Sequence, residues 1–130
     1  MSLPSVRFRV EFGRAQAVGP GKIALLEQIA ASGSLSGAAR ELAMSYRRAW
    51  QLLESLNQSF LEPVAATSTG GRGGGGATLT PFGQELVRAY RAFEAETATR
   101  AARHFRPFVR RARGETAARP GARVRRLSKR

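Results

Sequence analysis

Apolar and polar residues alternate strictly from Val6 through Arg7, Phe8, Arg9, Val10 and Glu11 to Phe12, the two-residue period of a half-buried strand. Gly13-Arg14 predicts a turn, residues 15–18 a short returning strand, and Gly19-Pro20-Gly21 a break in the chain. The period then becomes helical. Over residues 22–32, Ile23, Leu26, Ile29 and Ala30 share a face, and Gly33 stands where a left-handed residue closes a helix.

Ser34 is suited to cap a second, short helix in which Leu35, Ala38, Ala39 and Leu42 recur at helical spacing. That helix ends near Ala43. Ser45 is the natural cap of a third helix running from Tyr46 to about Phe60, with Ala49, Leu52, Leu53, Leu56 and Phe60 as its inner stripe. Tyr46, Arg47, Arg48, Trp50, Gln51 and Glu54 are left toward the other side. Pro63 bars continuation. Two short strands, 64–69 and 77–79, then flank a glycine-rich tip at 70–76 that contains Arg72. Thr80-Pro81 matches a cap followed by proline at the first helical position. A long fourth helix follows, with Phe82, Leu86, Tyr90, Phe93, Thr97 and Ala101 spaced by three or four, and Pro107 is expected to end it.

The pattern therefore predicts a mainly α fold with small β elements: a winged helix-turn-helix with a long C-terminal dimerisation helix. Residues 1–106 form the one domain for which 130 residues have room, and 107–130 form a basic tail. Beyond Arg110 large apolar side chains are almost absent, the composition of a disordered segment.

Charge adds a partner to this picture. The net charge is +13, from 22 Lys and Arg against 9 Asp and Glu, which implies a polyanion. From Arg106 onward ten basic residues face the single Glu115, so +9 lies there and +4 in residues 1–105. The absence of cysteine excludes disulfides and thiolate metal sites and is compatible with a reducing cytosol. The run Ile23-Ala24-Leu25-Leu26 is too short for a membrane span or secretory segment. A cytoplasmic protein without membrane attachment is expected.

Two short helices joined by a three-residue turn, with Ala38, Ala39 and Ala49 where they cross, meet the packing need of a helix-turn-helix. Ala43 departs from the glycine common at that turn; in a left-handed conformation alanine costs about 1 kcal/mol. At this point the chain resembles the amino-terminal DNA-binding domain of ModE-type molybdate-responsive regulators and, more distantly, LysR-type regulators. The resemblance rests on Gly33-Ser34-Leu35-Ser36-Gly37-Ala38-Ala39, Met44-Ser45-Tyr46-Arg47-Arg48-Ala49-Trp50, Gly73 to Gly76 and Leu79-Thr80-Pro81-Phe82-Gly83. It covers roughly residues 5–100 and implies a dimer whose third helix enters the major groove, with the glycine hairpin as wing. ModE proteins continue into small β-barrel domains that bind molybdate, where this chain has only the basic tail. Molybdate sensing is therefore not carried over, and an oxyanion response would need another site or subunit.

The expected partner is double-stranded DNA. Arg47 and Arg48, in the first turn of helix three, can pair with guanine O6 and N7 or with phosphate, and Gln51 with adenine. Glu54 is positioned to hold either arginine. Tyr46 and Trp50 either touch sugars and thymine methyl groups or plug the core, with partial burial the favoured reading for Trp50. Ser34, Ser36 and Ser45 lie at the starts of the two helices, and Arg72 is offered to a minor groove at the wing tip, whose alternative is a floppy hairpin end. Leu86, Tyr90 and Phe93 are the expected homodimer face.

The glycine loop lacks the Gly-Lys-Ser/Thr ending of a phosphate-binding loop. His104 is the only histidine and has no companion ligands, and Glu94 and Glu96, two apart on a helix, do not face one another. No cofactor, no metal and no catalytic activity are expected. The function expected is a sequence-specific, ModE-like transcription regulator, within molybdenum homeostasis by resemblance. Two alternatives are a sequence-tolerant nucleoid protein dominated by its tail and an accessory partner of a longer ModE-like subunit.

Overall fold

Ser34, Ser45 and Thr80 mark real helix starts in the computed structural model, which describes residues 4–14, 16–68 and 75–113, whereas the first helix begins at Pro20, inside the expected break. The element order is β1 (Val10–Glu11), β2 (Ala17–Val18), α1 (Pro20–Ser32), α2 (Leu35–Glu41), α3 (Tyr46–Ser59), β3 (Ala65–Ser68), β4 (Gly76–Leu79) and α4 (Pro81–Val109). This is a winged helix-turn-helix followed by a long helix. Residues 7–93 form one compact unit, and the division falls within α4 after Phe93. Ala15, the wing tip 69–74 with Arg72, and the tail from residue 114 lie outside the described residues.

Helix α1 forms the centre of that unit. It touches α2, α3, β2 and β4, and Ile23, Leu25, Leu26 and Ile29 are fully buried. Ala30, expected on the inner face, is exposed, and Leu25 takes a place in the core because this helix is covered on more than one side. Each buried aliphatic side chain contributes about 1.5–3 kcal/mol from apolar burial alone. Around α1 pack Leu35, Ala38, Ala39, Ala49, Leu53, Leu56, Val64 and Ala77.

The turn between α2 and α3 is closed by backbone bonds. Met44 N–H donates to Ala39 O at 3.0 Å and Ala43 N–H to Arg40 O at 3.1 Å, the paired bonds that end a helix through a left-handed residue. That residue is Ala43, at φ 55°, so the expected conformational cost is present.

Three polar anchors hold the wing. Ala77 N–H donates to Gly33 O at 2.9 Å, joining β4 to the left-handed corner (φ 78°) between α1 and α2. Asn57 Oδ1 accepts from Val64 N–H at 2.7 Å, and its Nδ2 donates to Ala65 O at 3.3 Å. Thr80 Oγ1 accepts from Gly83 N–H at 3.0 Å and donates to Pro63 O at 2.7 Å. A Cβ at Gly83 would overlap the Val64 carbonyl, so only glycine allows α4 this close to the base of the wing. The hairpin pairs Ala65 with Leu79 through Ser68 with Gly76.

Two expected boundaries move. The first strand shrinks to Val10–Glu11, paired with Val18 and Ala17, because α1 begins at Pro20 and leaves no longer partner. Phe8 instead stacks on Tyr90 at 4.8 Å between ring centroids, and its carbonyl accepts from the Tyr90 hydroxyl at 2.9 Å. At the other end Pro107 lies inside α4. It removes one backbone bond, but only two helical residues follow it, so the last turn persists to Val109.

Candidate nucleic-acid interface

Two serines set the start of each helix of the motif. Ser34 Oγ accepts from Gly37 N–H at 2.9 Å and Ser45 Oγ from Arg48 N–H at 3.0 Å, each satisfying a donor that the first helical turn leaves open. The hydroxyl protons remain available to donate outward. Ser36 is exposed on the first turn of α2.

From the Ser45 cap, α3 presents Tyr46, Arg47, Arg48, Trp50 and Gln51, all exposed. Tyr46 is 56% and Trp50 49% exposed, so Trp50 is half-covered and neither ring plugs the core. Tyr46, Arg47, Trp50 and Gln51 line one open depression of about 400 Å³. Apolar faces, amide and guanidinium are thus brought together on a single surface. Glu54 does not hold the arginines: it accepts from Gln58 Nε2 at 2.9 Å, one turn further along. The ring pair and Arg47 are therefore not screened by a bound carboxylate from their own helix.

One residue that the sequence pattern does not single out, Lys22, adjoins α3. Lys22 Nζ donates to Ala17 O at 2.9 Å and to Ser55 Oγ at 3.4 Å, which lays the ammonium along α3. Burial first, then the charges of Arg9 and Arg48, hold its pKa below the ordinary lysine value. The signal in the sequence was weak: a single lysine after Gly-Pro-Gly.

The expected dimer face is altered. Tyr90, expected on that face, is only 5% exposed and packs into the core of the chain. The cause is the N-terminal segment, which returns Phe8 onto it. Leu86 is partly buried against the same core, while Phe93 is half-exposed with its ring edge-on to Phe8 at 5.2 Å. Farther along α4, Phe105 and Phe108 are exposed, with ring centroids 6.0 Å apart. Among the described residues no three His, Cys, Asp or Glu side chains gather as metal ligands, and no helix is long and apolar enough to cross a membrane.

Comparison with known proteins agrees with this architecture. Residues 21–84 match the bacterial regulatory helix-turn-helix protein family of lysR type. The chain is 44% identical over 81 residues to the molybdenum-pterin-binding protein MopB of Rhodobacter capsulatus, covering 62% of this chain and 30% of that protein. It is 44% identical over 71 residues to the dual regulator ModE of Escherichia coli, covering 55% and 27%. With the ModE regulator of Haemophilus influenzae it shares 31% over 90 residues, 69% and 35%. The matched region thus spans about a third or less of these relatives. The helix-turn-helix of residues 21–84 is thus similar to that of the lysR family, within a stretch similar to the ModE-type molybdenum regulators.

Proposed function

We propose that this chain binds double-stranded DNA sequence-specifically, as a homodimeric transcription regulator of the ModE type. The observation that carries the reading is the outer face of α3: Tyr46, Arg47, Trp50 and Gln51 exposed together at the start of a capped helix. Such a first turn is what a helix-turn-helix offers to base edges, where a bidentate arginine–guanine pair discriminates by about 1–3 kcal/mol. The regulators to which the stretch is similar point the same way. Catalysis has no place in this reading, and a cytoplasmic location goes with it. Ser34, Ser36 and Ser45 serve as phosphate-side contacts at the two helix starts. Arg72, outside the described residues, is assigned to the wing contact.

The test is a duplex enriched from a randomised pool, compared with its scrambled version. Arg47→Ala is expected to lose affinity for the enriched duplex and little for the scrambled one. Equal losses on both would remove the recognition-helix reading in favour of sequence-tolerant binding. Deleting residues after Arg110 should weaken both duplexes together and leave discrimination intact.

The homodimer is assigned to α4, with Phe93 in place of Tyr90 as its aromatic contact and Leu86 supporting it. Phe93→Glu, at the half-exposed position, is expected to give a folded monomer in sedimentation, with thermal melting checking the fold. Co-purification of a longer ModE-like subunit from the native cell would instead favour the accessory-partner reading.

A further inference from the structure

We propose that Arg9, Lys22 and Arg48 form an anchor for the DNA phosphate backbone beside the base-reading face of α3, which divides the two arginines of the helix start by role. Arg47 faces bases and Arg48 faces phosphate. The inference rests on the reading of α3 as a DNA-binding helix.

Three segments build the cluster. Arg9 precedes β1, and its Cβ stands where it would crowd a side chain at Gly19, the N-cap of α1. Lys22 sits in the first turn of α1, a turn with no acidic residue. Its bond to Ser55 Oγ places it on α3 seven residues, or two turns, beyond Arg48 on the same face. Arg48, unlike Arg47, does not line the depression with Tyr46 and Trp50. Its charge is felt at Lys22 together with that of Arg9.

Like charges gathered on one flank raise the energy of the free protein, and the carboxylate that meets them is weakly placed. Glu11 lies 3.3 Å from Arg9 with both side chains about two-thirds exposed, where an ion pair contributes little. A polyanion relieves this repulsion. Duplex DNA is the fitting one, because cations from three segments flank a recognition helix, and B-DNA carries a charge about every 1.7 Å of its axis past such a flank.

The test uses the full chain with the enriched and scrambled duplexes across a salt series. Arg9→Gln and Arg48→Gln are each expected to weaken both duplexes by the same factor. Each should also make the slope of log K against log salt shallower, by about 0.9 for every phosphate that is no longer neutralised. Glu11→Gln should shift affinity the other way. Arg9 is exposed, so its replacement leaves the fold intact, and thermal melting of the variant checks this. Unchanged affinity and slope in Arg9→Gln would overturn the anchor, as would loss of discrimination in Arg48→Gln. A saturable stabilisation by inorganic phosphate alone at constant ionic strength, abolished in Arg9→Gln, would also overturn it in favour of a small-anion site. If Arg47→Ala loses discrimination while Arg9→Gln changes nothing, only the anchor fails. If Arg47→Ala retains discrimination, the underlying reading of α3 fails.

Discussion

Helix α1 touches four other elements and buries Ile23, Leu25, Leu26 and Ile29, whereas α3, one residue longer, buries Ala49, Leu53 and Leu56 and leaves its first turn in solvent. The two are neighbours with opposite burdens. Burial of α1 on several sides leaves it few positions free for anything but packing, while a single apolar stripe suffices to dock α3. The exposed turn of α3 is therefore free to vary without cost to the fold. In this small domain a helix buried on several sides and a helix exposed on one face stand side by side, and substitutions in the two should differ in their cost to the fold.

The largest expected effect tests that separation directly. Leu26→Ala, in the core of α1, should lower unfolding free energy by about 2–5 kcal/mol in chemical denaturation. Arg47→Ala on α3 should stay within about 0.5 kcal/mol of the parent in the same measurement. A large stability loss from Arg47→Ala would break the contrast, since the residue would then belong to the packing.

Gly83→Ala comes next. The new methyl meets the Val64 carbonyl rather than a flexible side chain, so backbone must move at the junction of wing and α4. The expected cost is at the upper end of the 1–3 kcal/mol typical of overpacking, about 3 kcal/mol. Thermal melting measures it. An unchanged melting temperature would show that the wing base is looser than its hydrogen bonds indicate.

Much of this organisation was legible from local rules. Ser34, Ser45 and Thr80 mark helix starts because a cap is a contact within three residues, visible in the order of the chain. The inner stripe of α3 was legible because one face is buried and the period survives. Long-range returns were not. Tyr90 belongs on the outer stripe of α4 until Phe8, 82 residues earlier, folds back to accept its hydroxyl bond. Leu25 fails the one-face pattern because α1 has no single outer face. Asn57 reads as an ordinary polar helix residue until Val64 and Ala65 turn back onto it. Lys22 gains its place only when β2 and α3 close around it. The exposed face of α3 was readable, but that Arg47 lines the depression with Tyr46, Trp50 and Gln51 needed the third dimension.

A smaller effect sharpens the comparison at the corner between α2 and α3. Ala43 holds φ 55° and closes the turn through its N–H to Arg40 O. Glycine adopts that conformation without steric cost but gives the unfolded chain more freedom, so the two effects partly cancel. Ala43→Gly should stabilise by about 0.5–1 kcal/mol, a rise of a few degrees in Tm. Its DNA affinity should be unchanged, because the turn geometry is already the one glycine would choose. A stabilised variant with weakened binding would mean that alanine at this corner serves recognition.

The smallest effect concerns an ion pair by which α1 reaches α4. Arg91 Nη2 lies 2.6 Å from Glu27 Oε1, and its Nε donates to Glu27 Oε2 at 2.8 Å, the forked geometry that suits guanidinium and carboxylate. This hydrogen bonding holds the Glu27 pKa below its ordinary value, against an opposing push from burial. A carboxyl with a lowered folded-state pKa contributes stability that is present above the unfolded value, about 4.3, and lost as pH falls through the folded one. Side-chain exposures of 41% for Arg91 and 35% for Glu27 allow solvent and salt to screen the pair, so its contribution should be a few tenths to about 1 kcal/mol. Glu27→Gln should then be less stable than the parent at neutral pH by that amount. The two pH–stability curves should converge in acid, where the parent carboxyl is protonated as well, and added salt should narrow the neutral gap. Curves that stay parallel through the acid limb would show that the variant loses packing rather than charge, and the ion pair would then contribute nothing to holding α1 against α4.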